Sequence, residues 1–192
     1  MRKFTMFAIA GVLVLAGGLA WAQKTKPKPR RPTPVIQSGS PALSPMLATV
    51  SQMTATPATI TFTANNPGSA VAGDLSATVG WSMKGGTYGN TWTLSVYANS
   101  TTFTGCTYVP ASVVSVSCSS ASATGGQATA NCQSGGPFTL PSTAPGQQVA
   151  SGDEGNPGSH NYTVLLNYQF TDSWQYIANT CPLTITYTVN AP

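Results

Sequence analysis

Apolar residues recur at every second position in this sequence after residue 58. The alternation covers residues 59–64, 91–97, 113–118, 161–170 and 183–189. In each segment the intervening positions are rich in threonine, serine and asparagine. A period of two is that of a β-strand with one buried and one solvated face, and it does not fit an amphipathic helix. This pattern predicts an all-β chain.

Turn-forming stretches separate the alternating segments, for example Asn65–Gly68 and Gly135-Gly136-Pro137. Roughly eight strands at this spacing predict an antiparallel two-sheet sandwich of the immunoglobulin-like type. A closed β-barrel is the alternative architecture. We expect the folded domain to occupy residues 46–192.

The first residues have the features of a secretory signal peptide. Arg2 and Lys3 precede an apolar run, and Ala20-Trp21-Ala22 supplies small residues at the two positions that a signal peptidase reads. The run is too short, and wrongly flanked, to span a membrane. We therefore expect residues 1–22 to be removed. The rest of the chain is expected to be secreted to the periplasm, the cell surface or the medium, and not to span a membrane.

Residues 23–45 read as a proline-rich basic arm followed by a Ser/Pro/Gly linker. The arm carries five cations, which are Lys24, Lys26, Lys28, Arg30 and Arg31. They suit contact with an anionic envelope polymer or lipid headgroup, and they equally suit an extended spacer that repels itself. From Val35 onward one lysine stands against four acidic residues, a net charge of −3. A folded domain with so few cations is not expected to bind nucleic acid.

Four cysteines follow the arm: Cys106, Cys118, Cys132 and Cys181. An even number in an exported chain predicts two disulfides. The favoured pairing joins Cys106 to Cys118 across a hairpin and Cys132 to Cys181, while a bond between Cys118 and Cys132 stays open. The spacings are not those of a zinc site.

One passage resembles the WxL-type surface domains of bacteria. Its residues are Asn90 to Val96, followed by Phe103 and by Val109-Pro110-Ala111-Ser112, and Trp92-Thr93-Leu94 carries the motif. The closing segments 162–170 and 183–189 are similar to the last hairpin of exported bacterial immunoglobulin-like domains. The resemblance implies a β-sandwich at the cell surface and non-covalent attachment to the wall. The family's second Trp-x-Leu motif is absent here, and the four cysteines are not part of its pattern.

The sequence offers little for catalysis. Its single histidine, His160, follows the acidic pair Asp153-Glu154 in a Gly/Pro-rich stretch that reads as a solvated loop, where a bound cation is the less favoured interpretation. No nucleophile elbow or zinc-protease motif is present. We expect no enzyme activity, cofactor or metal.

Aromatic residues divide into expected core and expected surface. Trp81, Trp92 and Trp174 are expected to fill or cover the core. The tyrosines better placed for the surface, where a patch of them would suit a glycan, are Tyr88, Tyr97, Tyr108 and Tyr176.

These observations predict an exported, non-catalytic interaction or structural module of the cell surface. Its expected partner is a cell-wall or envelope polymer, a glycan or another surface protein. A carbohydrate-binding module and a pilin-like subunit are the alternatives. A pilin-like subunit would be an incomplete sandwich that is completed by a donated strand.

Overall fold

The computed structural model describes residues 2–8, 49–64, 67–85, 89–176 and 180–191. Apart from one 3-10 turn (Ala111–Val113), its regular structure is all β. The strands are β1 (Arg2–Ala8), β2 (Thr49–Thr56), β3 (Thr59–Ala64), β4 (Ala70–Ala72), β5 (Ala77–Gly85), β6 (Thr91–Ala98), β7 (Thr102–Phe103), β8 (Cys106–Pro110), β9 (Val114–Thr124), β10 (Asn131–Cys132), β11 (Phe138–Thr139), β12 (Gln147–Asp153), β13 (Gly158–Thr171) and β14 (Pro182–Asn190).

The strands form two main sheets and one short ribbon. One sheet has the order β10-β12-β6-β14-β1-β3, the other has the order β11-β9-β13-β5-β2, and β4 adds to β13. Strands β7 and β8 pair with each other. Every pairing is antiparallel except that of β1 with β14, which is parallel. The expected antiparallel sandwich is confirmed, and the alternative of a closed barrel is wrong.

The core lies between the two sheets and is built from the alternating rows. Along β13, every second residue from Tyr162 to Phe170 is buried, as the period-two pattern predicts. Rings from opposite sheets meet in it: Trp81 of β5 packs edge-on against Trp92 of β6, with ring centroids 4.9 Å apart. Phe62 of β3 contacts Phe170 of β13. These contacts hold the sheets face to face.

The chain changes sheets between β2 and β3. Strand β2 pairs with β5 in one sheet, and after the cis Thr56–Pro57 peptide β3 pairs with β1 in the other. Proline suits this position because it has no N–H to leave unpaired where a ladder stops. The crossing places β3 at the far edge of its sheet.

Two disulfides are present, and the favoured pairing is wrong. Cys106 is bonded to Cys181 and Cys118 to Cys132, so the second bond is the alternative that the sequence left open. Strand β8, which holds Cys106, pairs with β7, whereas β9, which holds Cys118, pairs with β13 and β11. Because β8 and β9 are not neighbours in a sheet, no hairpin brings Cys106 opposite Cys118.

The N-terminal strand lies outside the expected domain boundary of residues 46–192. Residues Arg2–Ala8, which hold the two cations and the start of the apolar run of the expected leader, form a strand between β3 and β14. The sequence of this segment also fits a strand with one buried face, because Phe4, Met6 and Ala8 stand at alternate positions. The first residues of the expected domain, 46–48, lie outside the described residues, as do residues 9–22 of the expected leader.

In the part of the chain that the structure describes, no helix has the length and apolar character needed to cross a membrane.

Candidate functional site

The cleft between β3 and β14 is the most distinctive site of the molecule, and β1 fills it. Strand β1 pairs with β3 from Arg2 opposite Ala64 to Phe7 opposite Thr59. On its other side, β1 pairs with β14 from Thr5 opposite Pro182 to Ala8 opposite Ile185. No direct pairing joins β3 to β14 in the described residues. The continuity of this sheet therefore depends on a segment that is far from both strands in sequence.

The walls of the cleft are apolar on the side that faces the core. Ile60 and Phe62 of β3 and Leu183 and Ile185 of β14 are all buried. The residues between them on both strands are mainly threonines on the opposite face. Side chains of directly paired residues lie on the same face of a sheet. A strand in this cleft therefore needs an apolar residue at every second position.

The outer edge of β3 is occupied by the segment that precedes β5. The Thr61 N–H donates to the Asp74 carboxylate at 2.7 Å, and the Asp74 N–H donates to the Thr61 carbonyl at 2.9 Å. Backbone groups of successive residues point to opposite edges of a strand. Those of Ile60 and Phe62 therefore point into the cleft, which is the side where β3 accepts a neighbour.

Strand β14 offers more edge than β1 uses. It pairs with β6 from Ile185 to Asn190 on one side, whereas β1 covers only Pro182 to Ile185 on the other. The cleft-side edge from Thr186 to Asn190 has no strand partner among the described residues. A longer inserted strand would continue along it.

At the far end of the sandwich, the segment around Glu154 and His160 is buried, whereas the sequence predicted a solvated loop. Glu154 is 0 % exposed and His160, which lies in β13, is 4 % exposed. The His160 Nε2 is 2.7 Å from the Asn156 carbonyl, and the Asn156 N–H donates to the Gly126 carbonyl. The turn at Gly125 and Gly126 therefore covers this segment, and the expectation of a surface loop histidine is wrong.

A buried tyrosine links the acidic pair to the aromatic core. The Tyr162 hydroxyl lies 2.9 Å from the Glu154 carbonyl and 3.2 Å from the Asp153 carbonyl, and its ring stacks on Trp81. Burial, with smaller contributions from the charges of Glu154 and Asp153, raises the pKa of Tyr162 to about 12. A phenol held neutral in this way acts as a structural donor rather than as a proton acceptor at neutral pH.

A pair of tyrosines crosses the sandwich. The Tyr168 hydroxyl of β13 donates to the Tyr187 hydroxyl of β14 at 3.1 Å. Burial raises the pKa of Tyr187 to about 12, although the hydrogen bond from Tyr168 lowers it in part. Burial also raises the pKa of Tyr168 well above its usual value. The pair fixes β14 against the opposite sheet.

The expected surface tyrosines do not form one patch. Tyr108 is exposed, Tyr97 is half-buried on the face opposite Trp92, and Tyr88 lies outside the described residues. Tyr176 is only 8 % exposed because its ring packs on Phe170, so its surface placement is wrong. That any of these tyrosines binds a ligand stays a prediction.

Trp174 also departs from expectation. Trp81 and Trp92 fill the core as expected, whereas Trp174 is 81 % exposed in the turn between β13 and β14 and does not cover the core. Tyr176, two residues later, is the turn residue that packs inward.

Shallow clefts elsewhere lack the features of a sugar site. One of about 340 Å³ lies over β6, β10 and β12 and is lined by polar residues such as Asn131, Gln148 and Asp153. Its one aromatic lining residue, Trp92, is buried and presents no face for stacking. Across the described ranges, no cluster of three or more His, Cys, Asp or Glu residues is arranged to hold a metal ion.

Sequence reasoning missed the cleft because it assigned residues 2–8 to a leader alone. The signal that was available is the alternating apolar residues of β3 and β14. Each strand needs a further strand beside it to continue the sheet over the core. The basic arm (Lys24, Lys26, Lys28, Arg30 and Arg31) lies outside the described residues, so its role stays a prediction.

No protein-family model matches the chain, and comparison with curated proteins and with solved structures found no match. The resemblance to WxL-type domains therefore stays a prediction.

Proposed function

We propose that the protein is an exported, non-catalytic structural subunit of the cell surface. Its sandwich would be completed by a β-strand supplied in trans. One observation carries this proposal: the segment between β3 and β14 is Arg2–Ala8, which belongs to the cleavable leader expected over residues 1–22. When a signal peptidase cuts after Ala22, the chain loses the strand that occupies the cleft.

An empty cleft is costly, and strand addition relieves the cost. Backbone N–H and C=O groups on the facing edges of β3 and β14 lose their partners, and the apolar row of Ile60, Phe62, Leu183 and Ile185 loses its cover. Unpaired strand edges are templates for the addition of a further strand. Recognition by strand addition draws affinity from main-chain hydrogen bonds and specificity from alternate side chains.

Two further observations favour an extracytoplasmic scaffold. Both disulfides are of the kind that persists in oxidising compartments. Glu154 and Tyr162 are buried at the far end of the sandwich, where the Tyr162 hydroxyl donates to the Glu154 carbonyl, and they do not line an open cleft. The polar cleft beside Asn131 lacks an exposed ring, so the proposal of a structural subunit is better supported than that of a carbohydrate-binding module.

The test is the state of the exported product. The full chain is expressed with its own leader in an exporting host, beside an Ala22→Leu variant in which a large residue blocks cleavage. In a host that also supplies the donor strand, we expect the wild-type product to begin at Gln23 and to migrate on unboiled gels as higher-mass complexes that boiling dissociates. The uncleaved variant is extracted in denaturant with its disulfides intact and refolded away from the membrane; because it then keeps its own strand, it is expected to be monomeric.

Two results would overturn the proposal. One is an exported wild-type product that keeps residues 2–8. The other is a monomer beginning at Gln23 that unfolds at the same temperature as the uncleaved variant, since β3 and β14 would then need no added strand.

A further inference from the structure

We infer that the strand that completes this sandwich comes from a different exported polypeptide, and that this chain's own N-terminal arm does not supply one. The inference rests on the proposed function, because it assumes that the cleft is emptied by cleavage of the leader. It concerns the donor, which the proposed function leaves open.

The register of β1 defines what a donor must look like. Position 6 of β1 lies opposite both Ile60 and Leu183, position 4 lies opposite Phe62, and position 8 lies opposite Ile185. All four wall residues are buried on the core face. A donor therefore needs three apolar residues at alternate positions, runs parallel to β14, and tolerates polar residues in between.

The donor must also offer N–H groups to both sides. Residues 5–7 of β1 pair with both β3 and β14, whereas residues 2–4 pair with β3 alone and residue 8 pairs with β14 alone. Proline has no N–H and is confined to edge strands, first positions and bulges. The donor segment therefore has to be free of proline at positions 5–7, and elsewhere it can hold proline only at its first residue or where the nitrogen faces away from the paired strand.

The chain between the leader and β2 does not meet these requirements. Its prolines are Pro27, Pro29, Pro32, Pro34, Pro41 and Pro45. The longest proline-free stretch among them, residues 35–40, is shorter than β1, and it contains a glycine and two serines. From residue 46 the chain leads directly into β2, which is already paired with β5.

The subunit can therefore accept a strand but cannot donate one. It accepts a strand through the β3–β14 cleft and returns none through its arm, so copies of it do not link to one another by that route. Its place is at the end of a strand-linked assembly or in a one-to-one complex. The extra cleft-side edge of β14, from Thr186 to Asn190, accommodates a donor longer than β1.

A refolding assay on the full chain tests the inference. A site for a sequence-specific protease is inserted between Ala22 and Gln23, and the folded, oxidised protein is cut there. The N-terminal fragment is removed in denaturant with both disulfides intact, and the remainder is refolded with synthetic peptides. Near-ultraviolet circular dichroism, unfolding temperature and molecular mass are measured. The uncut chain, taken through the same denaturant, is the control for refolding.

Three peptides separate the possibilities. The first has the sequence of Arg2–Ala8, the second is its variant with Phe4→Lys and Met6→Lys, and the third is the arm, residues 23–40. We expect the first to restore the fold as a one-to-one complex. The second is expected to bind at least about tenfold more weakly, because its lysines would lie opposite Phe62 and Ile60. The third is expected to have no effect.

The other outcomes are distinct. Refolding with the arm peptide, or self-polymerisation of the remainder without any peptide, would refute a foreign donor while leaving the proposed function standing. Refolding as a peptide-free monomer with the unfolding temperature of the uncut chain would refute the proposed function itself. If the uncut chain refolds but the first peptide fails to restore the remainder, strand acceptance by this cleft is wrong, and both proposals fall.

Discussion

Removing the two disulfides separately should destabilise the chain to different extents. The Cys106–Cys181 bond joins residues 75 apart in sequence, whereas the Cys118–Cys132 bond joins residues 14 apart. In the chain-entropy description, closing the longer loop contributes about 4.5 kcal/mol and closing the shorter loop contributes about 3 kcal/mol. We therefore expect the Cys106→Ala/Cys181→Ala variant to be the less stable by about 1.5 kcal/mol.

The burial of Cys106 and Cys181 increases this difference in stability between the two variants. Cys106 and Cys181 are fully buried, so replacing them by alanine also removes packed sulfur atoms, whereas Cys118 and Cys132 are partly exposed. At about 2–4 °C per kcal/mol for a domain of this size, the two unfolding temperatures should differ by roughly 3–6 °C or more.

The assay is urea unfolding of the uncleaved chain and of both double-alanine variants, with the free energy of unfolding extrapolated to water for each, because loss of a disulfide expands the unfolded state and changes the m-value. Cleavage after aromatic residues under non-reducing conditions confirms the pairing beforehand. Fragment 104–108 should then be linked to fragment 177–187, and fragment 109–138 should hold an internal bond. The reasoning is refuted if loss of the Cys118–Cys132 bond costs as much as loss of the other.

Two further predictions concern the tyrosine pair and the Gly125 turn. Because the pKa of Tyr187 is raised to about 12, the stability that its neutral phenol contributes is present below pH 10 and lost as the pH rises towards 12. Tyr187→Phe should therefore remove about 3 kcal/mol of the alkaline loss seen in urea unfolding, and parallel pH curves for both proteins would contradict this. Gly125→Ala should cost about 3 kcal/mol or more, because a Cβ there would meet the ring of His160 and the residue has a φ of +121°. The matched control is Gly68→Ala, with a φ of +88° and open space, which should cost only about 1 kcal/mol; equal losses in thermal unfolding would refute the packing argument.

The strands with strong alternation could be predicted from the sequence because their signal is local. The predicted segment 59–64 coincides with β3, and β13 extends the predicted segment 161–170 by three residues at its start and one at its end. Strand β12 was not predicted. Its sequence, Gln147 to Asp153, is polar and contains Gly152, so only its pairing with β6 and β10 identifies it as a strand.

The features that could not be predicted are those decided by which strands become neighbours. The pairing of Cys106 with Cys181 depends on where β8 lies relative to the start of β14, and no spacing rule contains that information. The burial of Glu154 and His160 depends on the turn at Gly125 packing over them. The place of β1 depends on a vacancy between two strands that are more than a hundred residues apart.

The charge distribution of the folded domain has a consequence for its resistance to proteolysis. Lys84 is the one residue beyond Arg31 after which a trypsin-like protease can cut. It lies within β5, paired to Ser159 of β13 on one side and to Thr49 of β2 on the other. Such proteases need a peptide segment that can detach and enter their active site, so the folded domain should outlast its own arm in a digest, with all four cysteines retained in a single fragment even if Lys84 is eventually reached.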